Sequence, residues 1–178
     1  MPSEARDFEL TVDDLRVVAR YAVESAQGVL PLFEDANPED PRARAAIEAA
    51  WAFVNGAPRT RLQRVTAMDA HRAAKEAASE ASNYAALAAG DAAAAAYLHS
   101  LPKATQIGHI LRAAANAARA AEFSAGDDSN VGDVLIEQAR ERATPALIDI
   151  LCRYPPAPVG NSRVAIMMKN LDTTLRAR

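Results

Sequence analysis

Apolar residues recur along this chain at spacings of three and four, in segments bounded by capping residues, prolines and glycines, which is the pattern of amphipathic helices. The first stripe is Val12, Leu15, Ala19, Ala22, Ala26, Val29 and Phe33. Thr11-Val12-Asp13-Asp14 opens it as a capping box, with the Thr11 hydroxyl placed to accept the Asp14 amide and the Asp14 carboxylate placed to reach back. Pro31 has no amide hydrogen and is expected to bend or end this helix near Leu30. After the turn Asn37-Pro38-Glu39-Asp40, Asp40 is expected to cap a second helix with Pro41 at its first position. Ile47, Ala50, Trp51 and Val54 are its expected buried face, and Asn55-Gly56 stops it.

Thr60-Arg61-Leu62-Gln63 is a second capping box. Helical residues then run to Gly90, which is long for one helix. An interruption is predicted around Ser79 to Asn83, where serine and asparagine compete for backbone hydrogen bonds. Gly90 and Asp91 read as the close of that segment and the cap of a short helix through Leu101, ended by Pro102. Ile107, Ile110, Leu111, Ala114, Ala118 and Ala121 mark another helix, and Asn130 with Asp133 is the expected cap of the next. Thr144-Pro145 starts a helix that ends before Pro155. Pro155 to Gly160 is then an extended connector. In the last segment Val164, Met167, Met168, Leu171 and Leu175 share one face, with Arg163, Lys169, Asp172 and Arg176 expected to stay wet. A lone helix of that length is marginal in water, so the face must dock on the body or in a homodimer.

These elements predict an all-α fold: a single-domain multi-helix bundle of about seven to eight helices. Successive short helix pairs leave a solenoid as the alternative, although no repeat signature of about 34 or 40 residues is present. The division expected is a helical domain over 1–154, a proline-rich connector over 155–161 and the C-terminal helix over 162–178.

Composition sharpens this picture. Alanine occupies 43 of 178 positions, which favours helix and predicts closely spaced helices, since a methyl group gains little on burial unless backbones approach. The net charge of -3 argues against a nucleic-acid partner. The longest apolar stretch, Asp91 to Tyr97, is too short to cross a bilayer, and Met1 to Asp7 is acidic with no signal-peptide core behind it, so the expectation is a cytoplasmic protein with no membrane partner. Cys152 is the only cysteine, which leaves no internal disulfide; it reads as a small core residue.

Candidate chemistry is sparse. His71, His99 and His109 lack the spacing of a helical metal motif, so neither a metal nor any other cofactor is expected, and His71 reads as a half-buried ring bonding neighbours on its own helix. Arg59, Arg61 and Arg64 crowd the start of a helix, where cations are unfavourable and an anion would be welcome. Glu34, Asp35, Glu39 and Asp40 form an acidic loop of the kind that can steer a basic protein partner. No Ser-His-Asp order, glycine-rich phosphate loop or HExxH motif is present, so binding is favoured over catalysis. One binding alternative is a small-molecule pocket lined by Trp51, His71, Tyr84, Tyr97 and His109.

Several stretches carry a family resemblance: Val29-Leu30-Pro31-Leu32-Phe33-Glu34, Asp40-Pro41-Arg42, Ala70-His71-Arg72-Ala73-Ala74, Ala89-Gly90-Asp91, and His109-Ile110-Leu111 with the alanine run to Glu122. Together they resemble a bacterial family of immunity proteins of the Imm-five-like type. That family's pattern has histidines where this chain carries Asp91 and Tyr97. The resemblance implies an all-helical intracellular protein that neutralises a cognate toxin by binding it, without a cofactor.

Overall fold

The computed structural model describes residues 8–178; the acidic segment Met1 to Asp7 lies outside the described residues. Eight α-helices and no strand occur among them: α1 (Val12–Glu34), α2 (Arg42–Val54), α3 (Arg61–Glu76), α4 (Glu80–Ala94), α5 (Ile107–Ser124), α6 (Ser129–Arg142), α7 (Pro145–Cys152) and α8 (Arg163–Arg176). Both capping boxes form as the sequence predicts, at Thr11 with Asp14 and at Thr60 with Gln63. The predicted interruption is also present. Ser79 caps α4, and Asn83 donates to the Ala74 carbonyl at 2.6 Å, adding to the Ala77 amide at the end of α3.

The arrangement is a bundle rather than a solenoid, because α1 packs on α4 and α5 as well as on its neighbour α2. α4 is the central rod, touched by α1, α2, α3 and α5. Its composition explains that position: Ala85, Ala86, Ala88, Ala89, Ala92 and Ala93 are all fully buried, and a helix that is apolar all round belongs inside. Large side chains from α1, α2 and α5, among them Phe33, Phe53, Ile107, Ile110 and Leu111, fill the space around the methyl groups.

Several local expectations give way to tertiary context. α1 continues through Pro31 to Glu34, the proline standing in the last turn with its ring exposed. Pro41, not Asp40, precedes the first residue of α2, although the Asp40 carboxylate still accepts from the Arg42 amide at 3.0 Å. Gly90 and Asp91 do not end a helix but lie inside α4, which runs on to Ala94 and a short 3-10 turn, Ala95–Tyr97. Asp128, rather than Asn130, caps α6. Trp51 is half-buried, its indole N–H donating to Gln27 at 2.5 Å. Cys152 is exposed at the end of α7, not part of the core.

α8 lies against α5, α6 and α7, and buries Met167, Leu171 and Leu175. Asp172, expected to be wet, is only 1% exposed. It accepts from the Ala157 amide at 2.8 Å and from Arg176 at 2.7 Å, which ties α8 to the proline-rich connector. No described helix is long and apolar enough to cross a membrane.

Candidate functional site

Charged residues placed inside alanine-rich helices need partners, because an isolated buried charge is costly. Asp91 is such a residue. It points from α4 into the junction with α3 and α5, and its carboxylate collects one side chain from each. Oδ2 accepts from Asn116 of α5 at 2.6 Å, while Oδ1 stands 3.3 Å from His71 Nε2 of α3 and 4.0 Å from Arg112 of α5. Thus the partner of His71 is a carboxylate on the facing helix, not a neighbour on its own helix.

Two glycines make room for this cluster. A methyl group at Gly90 would overlap the His71 imidazole and stand 3.0 Å from the Ala67 carbonyl, so α3 and α4 approach backbone to backbone here. A methyl group at Gly108 would overlap the Arg112 guanidinium, which lies back along α5. The result is a recess of about 360 Å³ in which His71, Asp91, Arg112 and Asn116 face Tyr84 and the first turn of α8. The Tyr84 ring stacks on Phe123 with centroids 5.6 Å apart. His109, one turn before Arg112, is held below the usual histidine pKa by burial, aided by repulsion from Arg112 and opposed by the Asp91 charge.

The other sequence-predicted residues lie elsewhere. Tyr97 sits between two guanidinium groups, Arg59 at 5.2 Å and Arg64 at 5.0 Å from its ring centroid, and its hydroxyl donates to the Thr60 carbonyl. Arg61 is exposed on α3 beside them. In the acidic loop, Glu34 pairs with Arg44 and Asp40 with Arg42, which leaves Asp35 and Glu39 as its exposed charges. Of the five side chains expected to line one pocket, the recess brings together His71 and Tyr84; Trp51 and Tyr97 face other surfaces.

A second surface feature was not anticipated. Leu62, Val65 and Met68, three residues apart on α3, are 51%, 42% and 49% exposed. Arg61, Arg64 and Arg72 stand exposed on the same helix. The signal was legible, because apolar residues fall on both sides of this helix while alanine and Gln63 supply its buried side. Asp91, Arg112 and Asn116 were also readable as lone polar residues inside alanine runs, but nothing in the sequence pairs them.

A family model described as Imm-5 like putative immunity protein matches residues 9–145. The chain belongs to this family. The match takes in α1 through α6 and therefore the Asp91 cluster and the whole exposed face of α3. Among curated proteins and among solved structures, none matches the chain.

Proposed function

We propose that the protein neutralises a cognate toxin by binding and occluding it, with the exposed face of α3 as the contact surface. Family membership carries the immunity reading, and α3 supplies a surface suited to it. Three of the large apolar side chains most exposed to solvent form one stripe there, Leu62, Val65 and Met68. Arg59, Arg64 and Tyr97 pack into a rigid knot at one end of the stripe. Arginine and tyrosine beside an apolar centre are the residues that dominate binding energy in protein interfaces. Arg59, Arg61, Arg64, Arg72 and Lys75 outnumber Asp69 and Glu76, so this face is basic on a chain of net charge -3. Its partner surface is accordingly acidic at the rim and apolar at the centre. The acidic loop fits this role less well, because arginines of its own chain engage Glu34 and Asp40.

The test mixes the purified protein with the effector proteins encoded beside its gene and measures complex formation and residual toxin activity. The expected result is a stable complex with one of them that abolishes its activity. Replacing Leu62 and Met68 together by aspartate should weaken that complex by about a hundredfold or more. Absence of binding to any neighbouring effector overturns the immunity reading; tight binding that the double variant leaves unchanged overturns the assignment of α3.

A further inference from the structure

The recess beside Asp91 contains a guanidinium whose donors form no hydrogen bond among the described residues. Asp91 Oδ2 is taken by Asn116, and His71 Nε2 stands at 3.3 Å from Oδ1. Arg112, at 4.0 Å, lies beyond hydrogen-bond distance of Oδ1, and its side chain is 48% exposed. Its planar fork of N–H groups lines the recess instead. The guanidinium lies over Gly108, in space that any side chain at that position would fill.

Charge selects the class of ligand. Among the described residues Asp91 is the one carboxylate that lines the recess, and Arg112 is a cation it leaves without a hydrogen bond. A ligand with a single negative charge meets Arg112 with less repulsion from Asp91 than a phosphate dianion does. The remaining walls, Leu87, Val164 and the Tyr84 ring, suit a short apolar body. A volume of about 360 Å³ lies at the lower end of the range for small-molecule sites.

We propose that this recess binds a small monocarboxylate, its oxygens on the Arg112 fork and its apolar part against Leu87 and Val164. Bidentate geometry is what a guanidinium offers a carboxylate. This reading is independent of toxin binding, since it needs only the chain itself.

The experiment titrates the isotopically labelled full chain with acetate, butyrate and benzoate, with inorganic phosphate and methylammonium as comparisons, following nuclear magnetic resonance signals. Saturable shifts confined to His71, Tyr84, Arg112 and Asn116 are expected, with affinities on the order of millimolar and butyrate ahead of acetate. Arg112→Gln should weaken binding about tenfold or more, while Arg20→Gln, an exposed arginine of α1, should not change it. N-acetyl-aspartyl amide distinguishes a side chain of a docked protein from a free acid; whichever probe binds more tightly identifies the source of the carboxylate. Absence of saturable shifts at these residues overturns the proposal. So does phosphate binding more tightly than butyrate, or undiminished binding to a natively folded Arg112→Gln.

Discussion

Glu122 and Asp91, two of the three buried carboxylates among the described residues, sit at helix junctions and are treated differently. Glu122 of α5 is 0% exposed; its Oε1 accepts from Arg163 of α8 at 2.9 and 2.6 Å, and its Oε2 from Arg119 at 2.6 Å. Each arginine also has a second acidic partner, Asp133 at 2.8 Å and Asp127 at 2.6 Å. Gly132 of α6 closes over the group, since a methyl group there would overlap the Glu122 carboxylate. Asp91 is buried too, but its two basic partners are 36% and 48% exposed, and one stands out of bonding range. The first arrangement is a sealed joint that holds α5, α6 and α8 together. The second leaves donors open to solvent and a recess beside them. Glycine beneath a charged side chain is therefore not in itself a functional mark; what separates the two places is whether each arginine is hydrogen-bonded to the buried carboxylate.

The largest effect expected from this contrast is at Glu122. Glu122→Ala removes the shared acceptor of two arginines and should cost about 3 kcal/mol in urea unfolding, the range for breaking a buried ion pair. A loss below about 1 kcal/mol would mean that Asp127 and Asp133 suffice and that the joint is not sealed by Glu122. Gly132→Ala comes next. Although alanine favours helix by about 1 kcal/mol, displacing a fully buried carboxylate should leave a net loss of about 2 kcal/mol in the same measurement.

Asp91→Asn should be milder, about 1 kcal/mol or less, because the amide oxygen still accepts from Asn116 and the partly exposed Arg112 and His71 side chains keep contact with water. If it costs as much as Glu122→Ala, the distinction between a sealed and an open cluster fails. The smallest effect concerns His109. Its folded-state pKa lies below 6.5, so between the two values the unfolded chain binds the extra proton, and stability falls as pH drops below about 6.5. His109→Gln should flatten the dependence of melting temperature on pH in that window; an unchanged slope would assign the acid sensitivity to another group.

The recess was only partly readable in advance. His71 and Tyr84 drew notice as polar residues among alanines, and both line it. Asp91 was misread as a helix boundary, because a glycine followed by an aspartate is ordinarily the end of one helix and the cap of another. Here Gly90 answers a different need, the close approach of α3 and its imidazole. Arg112 and Asn116 stand out in the sequence only as lone polar residues beside alanines, and their meeting with Asp91 depends on the facing helix.

The sequence by itself determined where helices start and which faces they bury. The Thr11, Thr60 and Thr144 caps, the break at Ser79 and the apolar face of α8 all depend on residues within one turn of each other. Only the tertiary structure decided which charges meet. The Asp91 cluster joins residues 20 and 25 positions apart, and the Arg163–Glu122 bond spans 41. Such pairs follow from the packing of whole helices. In a chain this rich in alanine, many packings satisfy the same periodicity, so only the few positions where glycine admits a charged side chain tell them apart.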